Sequence, residues 1–94
     1  MKYKIVKFGT PFCGPCKLQE TYLDNFAKEG FDVEIERIDA SENMDKVEEY
    51  GVTNVPTLII LDENNTEIKR FNGLTLTKRL VDFFREQDNS NKED

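Results

Sequence analysis

Ninety-four residues with two cysteines and no histidine suit a single domain, able to bury roughly 60–70% of its unfolded surface without disulfide staples. Nineteen acidic against 13 basic side chains leave a net charge of −6, which repels phosphate backbones and sets nucleic-acid binding aside as a main role. No run approaches the ~20 apolar residues of a membrane span. Met1-Lys2-Tyr3-Lys4 has no apolar stretch of a signal peptide behind it, so a cytoplasmic location is expected.

In chain order, residues 2–8 carry Tyr3, Ile5, Val6 and Phe8, a β-rich run that Gly9-Thr10-Pro11 breaks. From Pro15 to about Glu29, Leu18, Tyr22, Leu23 and Phe26 follow helical spacing, and Gly30 stops the run. Val33, Ile35 and Ile38, set among charges, predict an edge strand over 32–38. Ser41 is a candidate cap for a short helix to Tyr50, closed by Gly51. Thr57-Leu58-Ile59-Ile60-Leu61 is a continuous apolar run, expected of a central strand covered on both faces. Asp62-Glu63-Asn64-Asn65 is turn chemistry, and Thr66 to Phe71 predicts the returning hairpin strand. Leu76, Leu80, Phe83 and Phe84 recur with the period of an amphipathic C-terminal helix. Residues 88–94 hold no apolar side chain and are expected as a flexible tail to a domain spanning 1–87.

A helix between the first two strands suggests a parallel pair with a right-handed crossover, and the tight turn near Asn64 an antiparallel hairpin. The expected fold class is α/β: a four-stranded mixed sheet flanked by three helices, in the order β-α-β-α-β-β-α.

Both cysteines fall in Phe12-Cys13-Gly14-Pro15-Cys16-Lys17, where the first strand hands over to the first helix. A bridge this short closes almost no loop and removes little chain entropy, so the pair argues for chemistry rather than architecture. Pro15 suits the first helical turn, where its missing N–H costs nothing. Cys13 then stands at the helix N-terminus, whose free amides and dipole favour thiolate. Such motifs lower a cysteine pKa to about 3.5–7.5, and the thiolate is the attacking species in disulfide exchange. Cys13 is the expected attacker and Cys16, one turn on, the resolving thiol. A closed zinc site needs four ligands, so here it would require a second chain or carboxylates. A metal- or cluster-bridged dimer, inert cysteines and a non-catalytic interaction subunit stand as alternatives.

Cys13-Gly14-Pro15-Cys16-Lys17 resembles the thioredoxin active site. Tyr50-Gly51-Val52 followed by Val55-Pro56-Thr57 is similar to the family's aromatic-Gly-aliphatic and aliphatic-Pro-Thr stretches, and Gly73 matches a family glycine ahead of the last helix. The resemblance spans almost the whole chain. It implies a thioredoxin-like fold, a cis peptide bond at Pro56, and a substrate groove framed by Phe12, Val55, Pro56 and Gly73. It further implies a protein-disulfide reductase with no bound metal or organic cofactor. Reducing equivalents would come indirectly from NADPH through a reductase, with disulfide-containing client proteins as partners of a monomer. A glutaredoxin-like dedicated electron donor is the variant reading within the same chemistry.

Three departures stand out. Phe12 replaces the family's usual tryptophan, keeping an apolar platform without the indole donor. The chain opens on the strand leading to the dithiol, without the additional strand and helix of full-length thioredoxins. Lys7 occupies the position, six before the first cysteine, where thioredoxins usually hold a buried aspartate. As an ammonium it would stabilise thiolate; as a buried neutral amine it would accept a proton from Cys16. With its stem packed and its head in water, it would do neither.

Overall fold

The computed structural model describes residues 2–92. Its elements are β1 (Tyr3–Gly9), α1 (Gly14–Ala27), β2 (Val33–Asp39), α2 (Met44–Tyr50), β3 (Thr57–Leu61), β4 (Glu67–Asn72) and α3 (Thr77–Lys92). The sheet order is β2-β1-β3-β4. β1 and β2 run parallel, while β1–β3 and β3–β4 are antiparallel. The expected α/β architecture and element order are those observed.

The period-2 alternation of β1 divides the core. Tyr3 and Ile5 point to the face covered by α1 and α3, where they meet Leu23, Phe26, Leu80, Val81 and Phe84. Val6 and Phe8 point to the other face, under Val47 and Tyr50 of α2. β3 lies between β1 and β4 with all five residues buried, which explains its uninterrupted apolar run.

Several local expectations need correction. β1 extends one residue further, because Gly9 still pairs with Asp39 and its carbonyl accepts from Ala40 N at 2.8 Å. Ser41 does not cap α2: its amide and hydroxyl both donate to Asp39 Oδ1, at 2.9 and 2.6 Å, and form a turn before the helix. α2 begins after Asn43, whose side chain donates to Asp39 O instead of capping. Gly51, at φ +65°, ends it as expected. Leu18 is 43% exposed and Leu76 lies outside α3, 55% exposed; Gln19 and Val81 take the inward positions. α3 itself runs through Lys92, into the segment expected as a tail. Residues 93–94 lie outside the described residues.

Phe84 is the hub of the larger core. Its ring centroid lies 5.2–6.0 Å from those of Tyr3, Phe26, Phe31 and Phe83. Phe84→Ala should cost about 3–5 kcal/mol of unfolding free energy, read as a lowered urea midpoint; a loss under about 1 kcal/mol would show that this cluster collapses to fill the space.

Candidate active site

The dithiol stands where β1 turns into α1. Cys13 is the N-cap, with extended backbone (φ −104°, ψ 111°), and Pro15 occupies the first turn. Cys13 Sγ accepts a hydrogen bond from Cys16 N at 3.1 Å. A sulfur thus fills the capping place usually held by a side-chain oxygen, at the positive end of a 14-residue helix. The two cysteines form a disulfide with Cα atoms 5.2 Å apart, inside the ordinary range for such a bond. Cys13 is partly exposed and Cys16 is 2% exposed. Gly14 and Pro15 are exposed beside them, and Phe12 is 97% exposed, an apolar side chain with no cover.

α1 approaches β1 closely because Gly9 has no side chain. A Cβ on Gly9 would stand 3.3 Å from Cys16 Sγ, 3.0 Å from Lys7 Cε and 3.2 Å from Lys7 Nζ. Nζ and Sγ are therefore no more than about 6.5 Å apart. The inward alternation Tyr3-Ile5-Lys7-Gly9 places Lys7 beneath the dithiol, with a side chain only 10% exposed. Its head is engaged: Nζ donates to Glu20 Oε2 at 2.6 Å. Arg37, the β2 partner of Lys7 in register, donates to the other Glu20 oxygen at 2.8 Å. Burial pushes the Glu20 carboxyl up, but hydrogen bonds and charge from Lys7 and Arg37 outweigh it and hold the pKa below the ordinary 4.5.

On the other side of Cys16, Gln19 is fully buried and makes a two-bond clamp. Its Nε2 donates to Thr75 O and its Oε1 accepts from Thr75 N, both at 2.8 Å. The clamp fixes the segment after Gly73 to α1. Gly73, at φ +89°, adopts a backbone that favours glycine, and a Cβ there would meet open space. Its amide donates to Pro56 O at 2.8 Å. The Val55–Pro56 peptide is cis, Pro56 is buried and Val55 partly so. Thr57 Oγ1 donates to Asn54 O at 2.7 Å and holds that loop.

Gly9, Gln19, Glu20 and Arg37 join the site without a motif that marks them in the sequence. The available signal is spacing: Gln19 and Glu20 lie three and four residues after Cys16, on the same helix face. Among the described residues, no group of three His, Cys, Asp or Glu side chains is placed to hold a metal ion, and no helix is long and apolar enough to cross a membrane.

The thioredoxin family model matches residues 1–86. The chain belongs to the thioredoxin family. It is 31% identical over 83 residues to a thioredoxin of Mycoplasma genitalium, covering 88% of this chain and 80% of that one. To a thioredoxin of Chlamydia pneumoniae it is 39% identical over 70 residues, 74% and 68% of the two chains. The fold superposes on a mutant thioredoxin of Halobacterium salinarum with a TM-score of 0.80 at 29% identity, covering 87% and 71%. As a thioredoxin, the chain is a thiol–disulfide oxidoreductase that reduces protein disulfides through the redox pair Cys13 and Cys16. Thioredoxins typically carry no bound cofactor and work between client disulfides and a reductase.

Because folding lowers the Glu20 pKa, its carboxylate contributes stability above the unfolded value near 4.5 and loses it as pH falls through the folded one. Glu20→Gln should therefore flatten the fall in stability below about pH 4.5, measured by urea titrations across the acid range. Glu67, held low by its hydrogen bond to Arg70, keeps its share of that slope in both proteins. An unchanged slope would show that the Lys7–Glu20–Arg37 cluster carries none of it.

Proposed function

We propose that Cys13 attacks and Cys16 resolves in the reduction of client protein disulfides, with reducing equivalents supplied from NADPH through a thioredoxin-reductase-type protein. The observation that carries this division is the difference in burial: Cys13 is partly open at the helix cap and Cys16 is 2% exposed beneath it. The Cys13 thiolate displaces one client sulfur as thiolate and forms a mixed disulfide. Cys16 thiolate then attacks Cys13 Sγ and releases the second client sulfur. Two electrons pass to the client, and the Cys13–Cys16 disulfide remains for the reductase to reset.

Phe12, Val55, Pro56 and Gly73 frame the client groove. Proline removes a donor, and Gly73 leaves open space, so an extended segment lies against main chain and recognition tolerates many sequences. Gly14 and Pro15 set the first turn that aims Cys13. The protein works as a monomer in a reducing compartment, the cytoplasm, where the pair is kept largely as thiols.

Lys7 is the cation beneath the pair. Its charge favours thiolate at Cys16, and stabilising the reduced form makes the disulfide more oxidising. Glu20 offsets part of that field, and Arg37, the second cation on Glu20, is itself shared with Asp24 at 4.0 Å. Lys7→Met should leave roughly tenfold less Cys16 thiolate at a given pH, followed by thiolate ultraviolet absorbance in the reduced protein. Unchanged thiol titration would remove Lys7 from the mechanism.

Trapping tests the assignment itself. Cys16→Ser should accumulate mixed disulfides through Cys13 that dithiothreitol releases, and the doubly substituted Cys13→Ser/Cys16→Ser should capture none. Insulin reduction by the native chain, lost in both variants, is the accompanying activity. Capture that persists without Cys13 would overturn the division of roles.

A further inference from the structure

Beside the candidate client groove, β4 and the start of α3 enclose a cleft of about 700 Å³ whose charge is opposite to that of the whole chain. The chain carries −6, yet the cleft is lined by Lys69, Arg70, Lys78 and Arg79 against the single carboxylate of Asp82. Two of these cations are already engaged. Arg70 pairs with Glu67 at 2.8 Å and donates to Gly51 O, and Lys78 pairs with Asp82 at 2.7 Å. Lys69 and Arg79 have no carboxylate partner among the described residues. Both rest over the ring of Phe71, 5.4 and 5.6 Å from its centroid, so a buried aromatic floor orients them.

Two further features set this cleft apart from ordinary solvated surface. Lys78 and Arg79 stand in the first turn of α3, which has no acidic residue, where the helix dipole disfavours cations. Lys78 is offset by its i,i+4 pair with Asp82, but Arg79 has no such partner among the described residues, and departures of this kind gather at functional sites. Leu74 and Leu76 then expose 41% and 55% of their surface along the same cleft, an apolar lip beside the cations. The position is also defined. Thr75 is clamped to Gln19, three residues after Cys16, and Gly73 is bonded to Pro56, so the Leu74–Leu76 lip of the cleft is tied to the proposed groove residues Gly73 and Pro56.

We propose that this cleft docks an acidic, leucine-like segment flanking the client's disulfide, its carboxylates meeting Lys69 and Arg79 and its apolar side chains meeting Leu74 and Leu76. This rests on the reading of the chain as a protein-disulfide reductase and names the class of client it favours. Main-chain contacts in the groove hold any extended segment; the cleft adds discrimination by charge, which acts chiefly on encounter and on the wrong partner.

The test uses the full reduced chain and two disulfide peptides of one sequence, flanked by either Leu-Glu-Asp-Glu or Leu-Gln-Asn-Gln. The native chain should reduce the acidic peptide about tenfold faster at low salt, with the advantage shrinking in high salt. The double variant K69E/R79E should reverse the preference and K69Q/R79Q abolish it, while all three proteins reduce uncharged bis(2-hydroxyethyl) disulfide equally. Equal rates on the two peptides with the native chain would overturn the proposal. So would an equal loss on the uncharged disulfide, which would place the effect at the dithiol. A concentration-dependent dimer abolished by K69E/R79E would assign the cleft to a second copy and overturn it too. If the native chain fails on the uncharged disulfide, the reductase reading falls. Docking is then read separately, from tighter binding of the acidic than the amide peptide, each with serine for cysteine, to the oxidised chain.

Discussion

The site depends on one close approach: the first turn of α1 lies against the end of β1 because residue 9 has no side chain. Cys16 Sγ and the head of Lys7 flank the point where a Cβ on Gly9 would stand, at 3.3 and 3.2 Å. Any larger residue there requires the Lys7 side chain or Cys16 Sγ to give by a few tenths of an ångström. The strand-to-helix turn accordingly does more than connect elements. It presses Cys16 onto the sheet, leaves Cys13 at the mouth of the helix, and sits over the Lys7 cation on β1.

From Cys16 the helix forks into two kinds of polar anchor. Gln19 holds the Gly73–Leu76 segment by two neutral hydrogen bonds, fully buried and fully satisfied, with an energetic cost that appears only if one partner is removed. Glu20 holds β1 and β2 by charge, and is about one-third exposed, so water and salt weaken it. The neutral clamp therefore sets geometry across pH and ionic strength, and the ionic one makes the floor of the site responsive to both. Thioredoxins usually place an aspartate at the Lys7 position; here the cation comes from the strand and the carboxylate from the helix, so the polarity beneath the dithiol is exchanged.

Much of this was legible in residue order, and the exceptions share a cause. The dithiol, the turn proline at residue 56 and the β3 run carry their chemistry locally, in residue type and spacing. Helical periodicity of apolar residues, by contrast, assigned Leu18 and Leu76 to the interior. Both are exposed, because the faces of α1 and α3 are set by what their neighbours need. Gln19 occupies a core position of α1 since its amide matches a backbone N–H and C=O that would otherwise be buried unpaired. Glu20 looks like any surface carboxylate until the sheet brings Lys7 and Arg37 opposite it. Such pairings across long stretches of chain have no signature within a window of local sequence. Ser41 failed as a helix cap for the converse reason: Asp39 offered its donors a nearer acceptor.

The distribution of charge finally separates the behaviour of the site from that of the chain. With −6 overall, the protein repels acidic partners at long range, and more so at low salt. Locally the pattern differs: Lys7 lies under the dithiol, paired with Glu20, and Lys69 and Arg79 are exposed in the β4–α3 cleft over Phe71. The near field acts over contact distances and the far field over a Debye length of about 8–10 Å. On the docking proposed for the cleft, both terms favour a partner that is acidic where it touches and less acidic elsewhere. Selection of clients by that pattern would need no sequence motif in the groove itself, so it would be compatible with backbone recognition that tolerates many sequences.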